Sequence, residues 1–599
     1  MSAFATTGGA VRDAVHDMRR SWTATTWLAV GGVTLAALVP VVLPGSVRLD
    51  GLAETGYLAL AAVGLGFAVG IGGMPSIAQG AFVGVGAICA AHLIGSGWAG
   101  PLAALVGAAA AALGGMAVGL AVVRFRAVYV AAATWIATWL FALALEAFPT
   151  LSGGSRGLVV PPRWSPTVHY ELALALVMVA MLAHGALAHS SFGLTLRAAA
   201  QRPAAAAALG ARAARLRLQA FAGAAAVGGL AGGFAVQLVG VADPSAYGPS
   251  LSFRLLVAVL VGGAATALGP TGGVVALGAI SLVADVFGRV SGSETARFGP
   301  MLAALLLLGV LAFGGEGIVA AITRRIPSRA RSSETAAAAA SPTHGSVEAR
   351  GLAKRFGGVV ALDSFELDVP PGRIVALIGP NGSGKTTALR LLAGTLRPDA
   401  GAVRLDGADV TTEPTTRRVQ RGLVRTIQSN AVFPDLTALE NAIVGASLRR
   451  RYGGAVRALL ATPKARREAR AVRAGALDVL RTVGLSHRVY HVAESLTVTE
   501  QRLLMVASAL ATGPRVLLLD EPSAGSAASD LARLVDVLET LRENGLAVLV
   551  VEHNLRLVRT VAEEVVVLDA GRRLAAGSPD EIASDSAVRS AYLGRRGRR

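Results

Sequence analysis

The chain has 599 residues, of which 53% are hydrophobic and 16% charged, with a formal net charge of +18. That length exceeds what one core organises, so several domains are expected, and so apolar a basic chain fits a membrane protein with basic cytoplasmic loops better than a nucleic-acid binder. The lone cysteine, Cys89, excludes a disulfide within the chain, and its apolar surroundings make it a small core side chain.

In chain order, Arg12, Arg19 and Arg20 precede an apolar segment without a small-residue cleavage site, which predicts an uncleaved first span. From Trp27 to Ala321, apolar stretches of about 20 residues recur between Gly, Pro or Arg breaks, the length a helix needs to cross hydrocarbon. They predict about ten spans, at 27–44, 52–73, 77–97, 101–123, 128–148, 170–189, 218–241, 252–268, 271–289 and 300–321. Gly and Pro interrupt the third and eighth, which are expected to be broken or re-entrant. Arg19 and Arg20, Arg124 and Arg126, the arginines between 197 and 217, and Arg324 and Arg325 all fall on one side of a ten-span count. Both termini are then cytosolic, and the Gly- and Pro-containing loop 149–169 lies on the opposite side. Small residues within the spans permit close helix packing. Glu54, Glu146, Arg254 and Asp285 lie in or at the edges of spans, and interfacial placement is reason enough for each.

The loop 190–217 differs in kind. It is basic, Pro203 is placed as a first-turn proline, and five alanines lead to Leu209 and Gly210 as a stop, which predicts a short helix that either connects or docks. Four stretches then carry a resemblance: GLGFAVGIGGMPSIAQGAFVGVGA (64–87), LSGGSRG (151–157), SSFGLTLRAAAQRPAAAAALG (190–210) and GGAATALGPTGG (262–273). With them the apolar half resembles the permease subunits of branched-chain amino acid ABC importers. In that family the third stretch is a cytoplasmic coupling helix, so the resemblance implies docking. Arg254 and Ala265 depart from the family pattern, which leaves the solute open.

Composition shifts after residue 325. The Ser-, Ala- and Pro-rich segment 326–346 reads as a flexible tether between a permease domain, 1–325, and a soluble domain, 347–594, followed by a basic tail, 595–599. The soluble part alternates strand-like and helix-like runs, which predicts an α/β P-loop fold after an α-helical polytopic membrane domain. GPNGSGKTT, from Gly379 to Thr387, follows the apolar run Ile374–Ile378 and precedes ALRLLAG, the strand, glycine-rich loop and helix context of a phosphate cradle. Gly379, Asn381, Gly382, Ser383, Gly384 and Thr387 would surround the phosphates of ATP, Lys385 would reach the β- and γ-phosphates, and Thr386 would hold Mg²⁺. VLLLDEP ends an apolar strand in two carboxylates. Asp520 is placed to hold the metal through water and Glu521 to act as general base. Gln428 is placed to ligate Mg²⁺ and sense the γ-phosphate, His553 to position water, and Phe356 to stack on adenine.

Together these residues resemble the ATP-binding subunit of ABC transporters over essentially all of 347–594. RFGGVVAL, RTIQSNAVFPDLTALENAIVG and GSPDEIASDSAVRSAYLG make the ATPases of branched-chain amino acid importers the nearest subgroup. The resemblance makes Lys385 and Thr386 Walker A, Gln428 the Q-loop, Asp520 and Glu521 Walker B, and His553 the switch histidine. One motif departs: where the family carries an LSGGQ-type signature, Leu496 to Glu500 read LTVTE, and SAASD after Gly525 departs as well. Thr499 adds a β-branched side chain in place of glycine and Glu500 an anion near phosphate, so this signature is expected to serve a partner's γ-phosphate poorly.

The combined reading is a permease fused to the ATPase of an importer for branched-chain or other small amino acids, in a bacterial inner membrane. The resemblance implies a second permease chain, a second ATPase chain with an intact signature, and an extracytoplasmic substrate-binding protein, and no nucleic acid. Urea, a sugar or another solute, export in place of import, and an ATP-regulated membrane scaffold stand as the alternatives.

Overall fold

The computed structural model describes residues 49–125, 127–291, 344–426, 432–448, 455–460, 462–524 and 528–593, with 31, 305 and 309 singly. The predicted spans 27–44 and 300–321 apart from residues 31, 305 and 309, together with Gln428, most of the tether and the basic tail, lie outside the described residues. Contacts divide the chain into two units: Met1–Ala200 with Ala214–Ala330, and Gln201–Ala213 with Arg331–Arg599.

In the first unit every described span is a helix: α1 (Leu49–Gly66), α2 (Gln79–Gly95), α3 (Gly100–Val122), α4 (Ala127–Ala147), α5 (Pro166–Ala188), and, after α6 (Ser191–Gln201), α8 (Ala213–Val239), α9 (Pro249–Gly262) and α10 (Gly269–Ser291). Among the described residues five helices are long and apolar enough to cross a membrane, while α2 and α9, the third and eighth expected spans, have only 17 and 14 residues. The reason is backbone interruption. α1 loosens into a π-helical turn, Phe67–Ile71, before the non-helical stretch to Ala78, and α9 stops at Gly263, whose φ is +107°. Such interruptions survive in an apolar setting only where other groups satisfy the freed backbone. Thr134 Oγ1 accepts the Ile77 N–H at 2.9 Å and the Thr138 hydroxyl donates to the Ile77 carbonyl at 2.6 Å. Gln79 Nε2 donates to the carbonyls of Ala61 and Ala224, both at 3.0 Å, tying α1, α2 and α8. Small residues set the helix spacing: a Cβ on Gly86 would lie 2.0 Å from the Gly229 carbonyl oxygen, so α2 and α8 meet backbone to backbone there. Glu54, Glu146 and Arg254 are exposed.

The second unit carries two sheets. β1 (Val347–Phe356), β2 (Val359–Val369), β4 (Ala400–Leu405) and β5 (Ala408–Asp409) form an antiparallel sheet in the order β2-β1-β4-β5. The main sheet runs β10-β9-β3-β8-β7-β6, from β3 (Ile374–Ile378), β6 (Leu423–Arg425), β7 (Val516–Asp520), β8 (Ala547–Val551), β9 (Glu564–Asp569) and β10 (Arg572–Gly577). All its pairings are parallel except β9–β10. Every residue of β3, β7 and β8 is buried, as expected of central parallel strands covered on both faces, and these runs bear no period-two alternation in the sequence. Parallel pairing sends the loops after β3, β7 and β8 to one edge, where sites form in such sheets.

Gln201–Ala213 groups with this second unit. It forms α7 (Pro203–Ala208), with proline in the first turn and Leu209 as C-cap, the helix and stop expected from the sequence. Gly210, at φ +104°, packs on Val419 of α12 (Thr415–Arg421) so closely that a Cβ there would lie 2.9 Å from Val419 Cγ1.

A buried arginine locks α12 to α11 (Lys385–Leu392), the helix after the glycine-rich loop. Arg418, 1% exposed, donates to the carbonyls of Leu391 and Leu392 at 2.7 and 2.6 Å, of Glu413 at 3.0 Å and of Thr411 at 2.8 Å. Those of Leu391 and Leu392 lie in the last turn of the helix, where carbonyls lose their intrahelical partners, and that of Leu391 also accepts the Gly394 N–H at 3.2 Å. Burial lowers the guanidinium to about 10, against the pull of Glu413 and Asp409, so it is charged at neutral pH. Arg418→Ala takes this donor from the Leu392, Glu413 and Thr411 carbonyls, and chemical denaturation should register a loss of about 3 kcal/mol in the second unit, whereas Arg417→Ala next to it should change little.

Candidate active site

The loop from Gly379 to Thr387 leaves the C-terminal end of β3 and enters α11, whose N-cap is Gly384. Two glycines are required by space. A Cβ on Gly379 would lie 2.1 Å from the Leu568 carbonyl oxygen, and one on Gly384, at φ +109°, 2.4 Å from that of Ala361. Asn381 and Gly382 are exposed at the tip, Ser383 is buried, and Thr386 and Thr387 are half-buried in the first turn. Lys385 is 6% exposed and donates through Nζ to the carbonyls of Gly379 and Pro380 at 2.8 and 2.9 Å. Burial lowers its ammonium from the usual lysine value, while the carboxylates of Glu521 and Asp520 pull it the other way. The lysine, the glycine cradle and the two carboxylates thus share one electrostatic site.

At the end of β7, Asp520 is 2% exposed; its Oδ2 accepts from Arg425 Nη2 at 2.8 Å, and its buried Oδ1 has no partner among the described residues. Glu521 follows with φ +49°, a left-handed conformation that β-carbon-bearing residues seldom adopt, pinned by its N–H to the Val551 carbonyl at 2.9 Å. That turn aims its carboxylate at His553, with Oε1 3.0 Å from Nε2. The structure thus brings together two side chains 32 positions apart in sequence. Phe356, at the end of β1, is 47% exposed, with Lys354 Nζ over the ring at 5.9 Å from its centroid: a surface ring, not a core one.

Two groups that sequence reasoning missed hold this arrangement. Glu552, 2% exposed, accepts the Ser523 N–H at 2.7 Å on Oε1 and the His553 N–H at 3.0 Å on Oε2, bridging the loops after β7 and β8. Its signal was present as a carboxylate ending a wholly apolar strand, where charge is costly without partners. Arg425 had no comparable signal, because its partner is 95 positions away.

The LTVTE segment differs from expectation in one respect. Thr497 N-caps α15 (Val498–Ala511), and Glu500 closes a capping box with it, its carboxylate accepting the Thr497 N–H at 2.9 Å and Arg488 Nε at 3.0 Å. Glu500 is buried, so its charge is turned inward and neutralised at home; Thr497 and Val498 are the exposed members of the segment. Burial would raise the Glu500 carboxyl, but the Thr497 N–H and Arg488 outweigh it and hold it below the usual range. Its stabilisation is present above the ordinary carboxylate value and is lost as pH falls through the lower folded one. Glu500→Gln should therefore cost about 1 kcal/mol at pH 7 and nothing at the acid end of a denaturation series.

The chain matches known proteins in both units. The family "Branched-chain amino acid transport system / permease component" matches residues 47–312, "ABC transporter" 362–524, and "Branched-chain amino acid ATP-binding cassette transporter" 572–597. The high-affinity branched-chain amino acid transport ATP-binding protein BraF of Pseudomonas aeruginosa is 36% identical over 249 residues, 41% of this chain and 97% of its own. LivG of Escherichia coli K12, with the same description, is 34% identical over 41% of this chain and 96% of its own. The lipopolysaccharide export ATP-binding protein LptB of Haemophilus influenzae reaches 32% over 41% and 96%. The ABC transporter match and these ATP-binding relatives give the second unit ATP hydrolysis coupled to transport, and the permease match accounts for the first. The chain belongs to the branched-chain amino acid ABC transporter family and carries permease and ATP-binding components in one polypeptide.

Proposed function

We propose that the chain is half of an importer for branched-chain or other small amino acids, and that each of its predicted site residues acts as the ABC resemblance implies. The observation that carries the solute is the permease-family match at 47–312 in the same chain as an ATPase related to BraF and LivG, which are described as branched-chain amino acid transport proteins. In this reading Gly379, Asn381, Gly382, Ser383, Gly384, Lys385, Thr386 and Thr387 cradle the triphosphate, and Phe356 stacks on adenine. Thr386, Gln428 and Asp520 serve Mg²⁺. The cation fits because Asp520 keeps one buried carboxylate oxygen without a partner, beside a buried lysine. Mg²⁺ supplies charge neutralisation across the phosphates. Glu521 takes the proton of the attacking water, and His553, 3.0 Å away, orients that carboxylate and the water.

A P-loop face of this kind needs a second ATPase domain to cover the γ-phosphate, so the proposal includes a partner ATPase with an intact signature, a second permease chain and an extracytoplasmic binding protein. Both termini and the ATPase domain lie in the cytosol, with domain limits at 1–325, 326–346 and 347–594. Closure of two ATPase domains would move α7, which groups with the second unit, and thereby drive the permease between outward- and inward-facing states.

The test is uptake into vesicles holding the chain with its partners. Labelled leucine should accumulate only with binding protein and ATP, and Glu521→Gln should cut the rate by about a thousandfold while nucleotide still binds. Accumulation of a labelled sugar or urea with leucine excluded, or uptake indifferent to Glu521→Gln, would contradict the proposal.

A further inference from the structure

Arg425 ends β6 beside Asp520 and lies, inside the second unit, where three elements meet. Its guanidinium is buried, yet it uses one Nη on one carboxylate oxygen, and its Nε has no partner. A purely structural Arg–carboxylate pair gains most from the bidentate fork, which occupies both oxygens. Here the single bond leaves Asp520 Oδ1 as an open acceptor. The neighbouring Thr426 also holds the Asp520 backbone, its Oγ1 accepting the Asp520 N–H at 3.3 Å, while its own N–H donates to the Leu518 carbonyl at 2.9 Å. The end of β6 thus fixes both backbone and carboxylate of Asp520 and leaves one oxygen available.

Arg425 also lines a cavity of about 20 Å³, room for about one water molecule. Ala205, Ala208 and Leu209 of the α7 segment form part of the wall, and Met505 and Ser508 of α15, the helix that the LTVTE segment caps, form another. The small side chains of α7 set the space around the guanidinium, so a shift of α7 changes where Arg425 can rest.

We infer that Arg425 is a positioning residue that presents Asp520 to the divalent cation of the bound nucleotide, and that it ties this presentation to the seating of α7. The inference rests on the proposed reading of Asp520 as the metal-side carboxylate. Arg425 itself touches neither nucleotide nor cation. It holds the Asp520 carboxylate in one orientation, as groups behind a metal ligand do elsewhere. Because α7 walls the same cavity, displacement of α7 loosens the guanidinium and with it the carboxylate. The metal site is therefore set only when the segment 201–213 is seated.

The experiment is a Mg²⁺ titration of fluorescent ATP-analogue binding to the full chain with its partner subunits in lipid nanodiscs, repeated in EDTA. Arg425→Met should raise the Mg²⁺ concentration for half-saturation about tenfold while Mg²⁺-free binding stays within about twofold of wild type. Arg425→Lys, which keeps the charge, should recover part of the loss. Ala208→Leu, which crowds the cavity and touches no phosphate-binding residue, should shift the Mg²⁺ titration in the same direction. An unchanged Mg²⁺ titration in Arg425→Met, or equal loss with and without Mg²⁺ in both Arg425 variants, overturns the positioning role. An unchanged titration in Ala208→Leu overturns the tie to α7. Wild-type binding indifferent to Mg²⁺ overturns the reading of Asp520, and the inference with it.

Discussion

Everything at the active site depends on β8 lying between β3 and β7. Parallel pairing in fixed register, Val551 against both Leu377 and Asp520, brings three loops remote in sequence to one sheet edge. The strands are buried on every residue, so a slip in register would strand their backbone groups without water to replace them. That penalty fixes the loop starts, and the loops do the chemistry. Glu521 reaches His553 because a left-handed turn follows β7, and that turn is held by the Val551 carbonyl of the neighbouring strand. Glu552 adds the cross-tie to Ser523.

Local patterns were legible in the sequence because local forces produce them. The apolar runs ending at Ile378, Leu519, Glu552 and Leu568 mark strands to within a residue, and Pro203 with Gly210 brackets α7. The lengths of α2 and α9 were less legible, since Gly and Pro announce a break but not which residues absorb it; Thr134 and Thr138 do so from α4. Groups whose role depends on a distant partner left no trace: Arg425 with Asp520, Arg418 with the end of α11. Glu500 shows the same limit from the other direction. Its type suggested an anion facing phosphate, whereas the capping box with Thr497 and the distant Arg488 together turn it inward. Gln428 lies outside the described residues, and its role rests on the motif alone.

The membrane unit meets a different constraint. Helices there gain little from burying apolar surface against one another, so contact is set by how closely backbones approach and by the few polar side chains that bridge them. Gly86 against Gly229 and Gln79 between α1 and α8 are examples of each. Such packing leaves the solute unspecified at the level of single residues, and the family match carries that part of the account.

The central claim is that this chain's P-loop is half of a catalytic site, completed by a signature segment that another ATPase domain brings. Thr497, Val498 and Thr499 stand where a small hydroxyl and glycines would allow close approach to phosphate, and Val498 is exposed there. The most direct measurement compares ATP turnover by the purified chain alone with turnover after addition of a partner ATPase carrying an intact signature. The account predicts slow turnover alone, rising with the partner, and rising also when Thr497→Ser, Thr499→Gly and Glu500→Gln are combined in the chain. Rapid turnover by the chain alone, unchanged by those three substitutions, would contradict it.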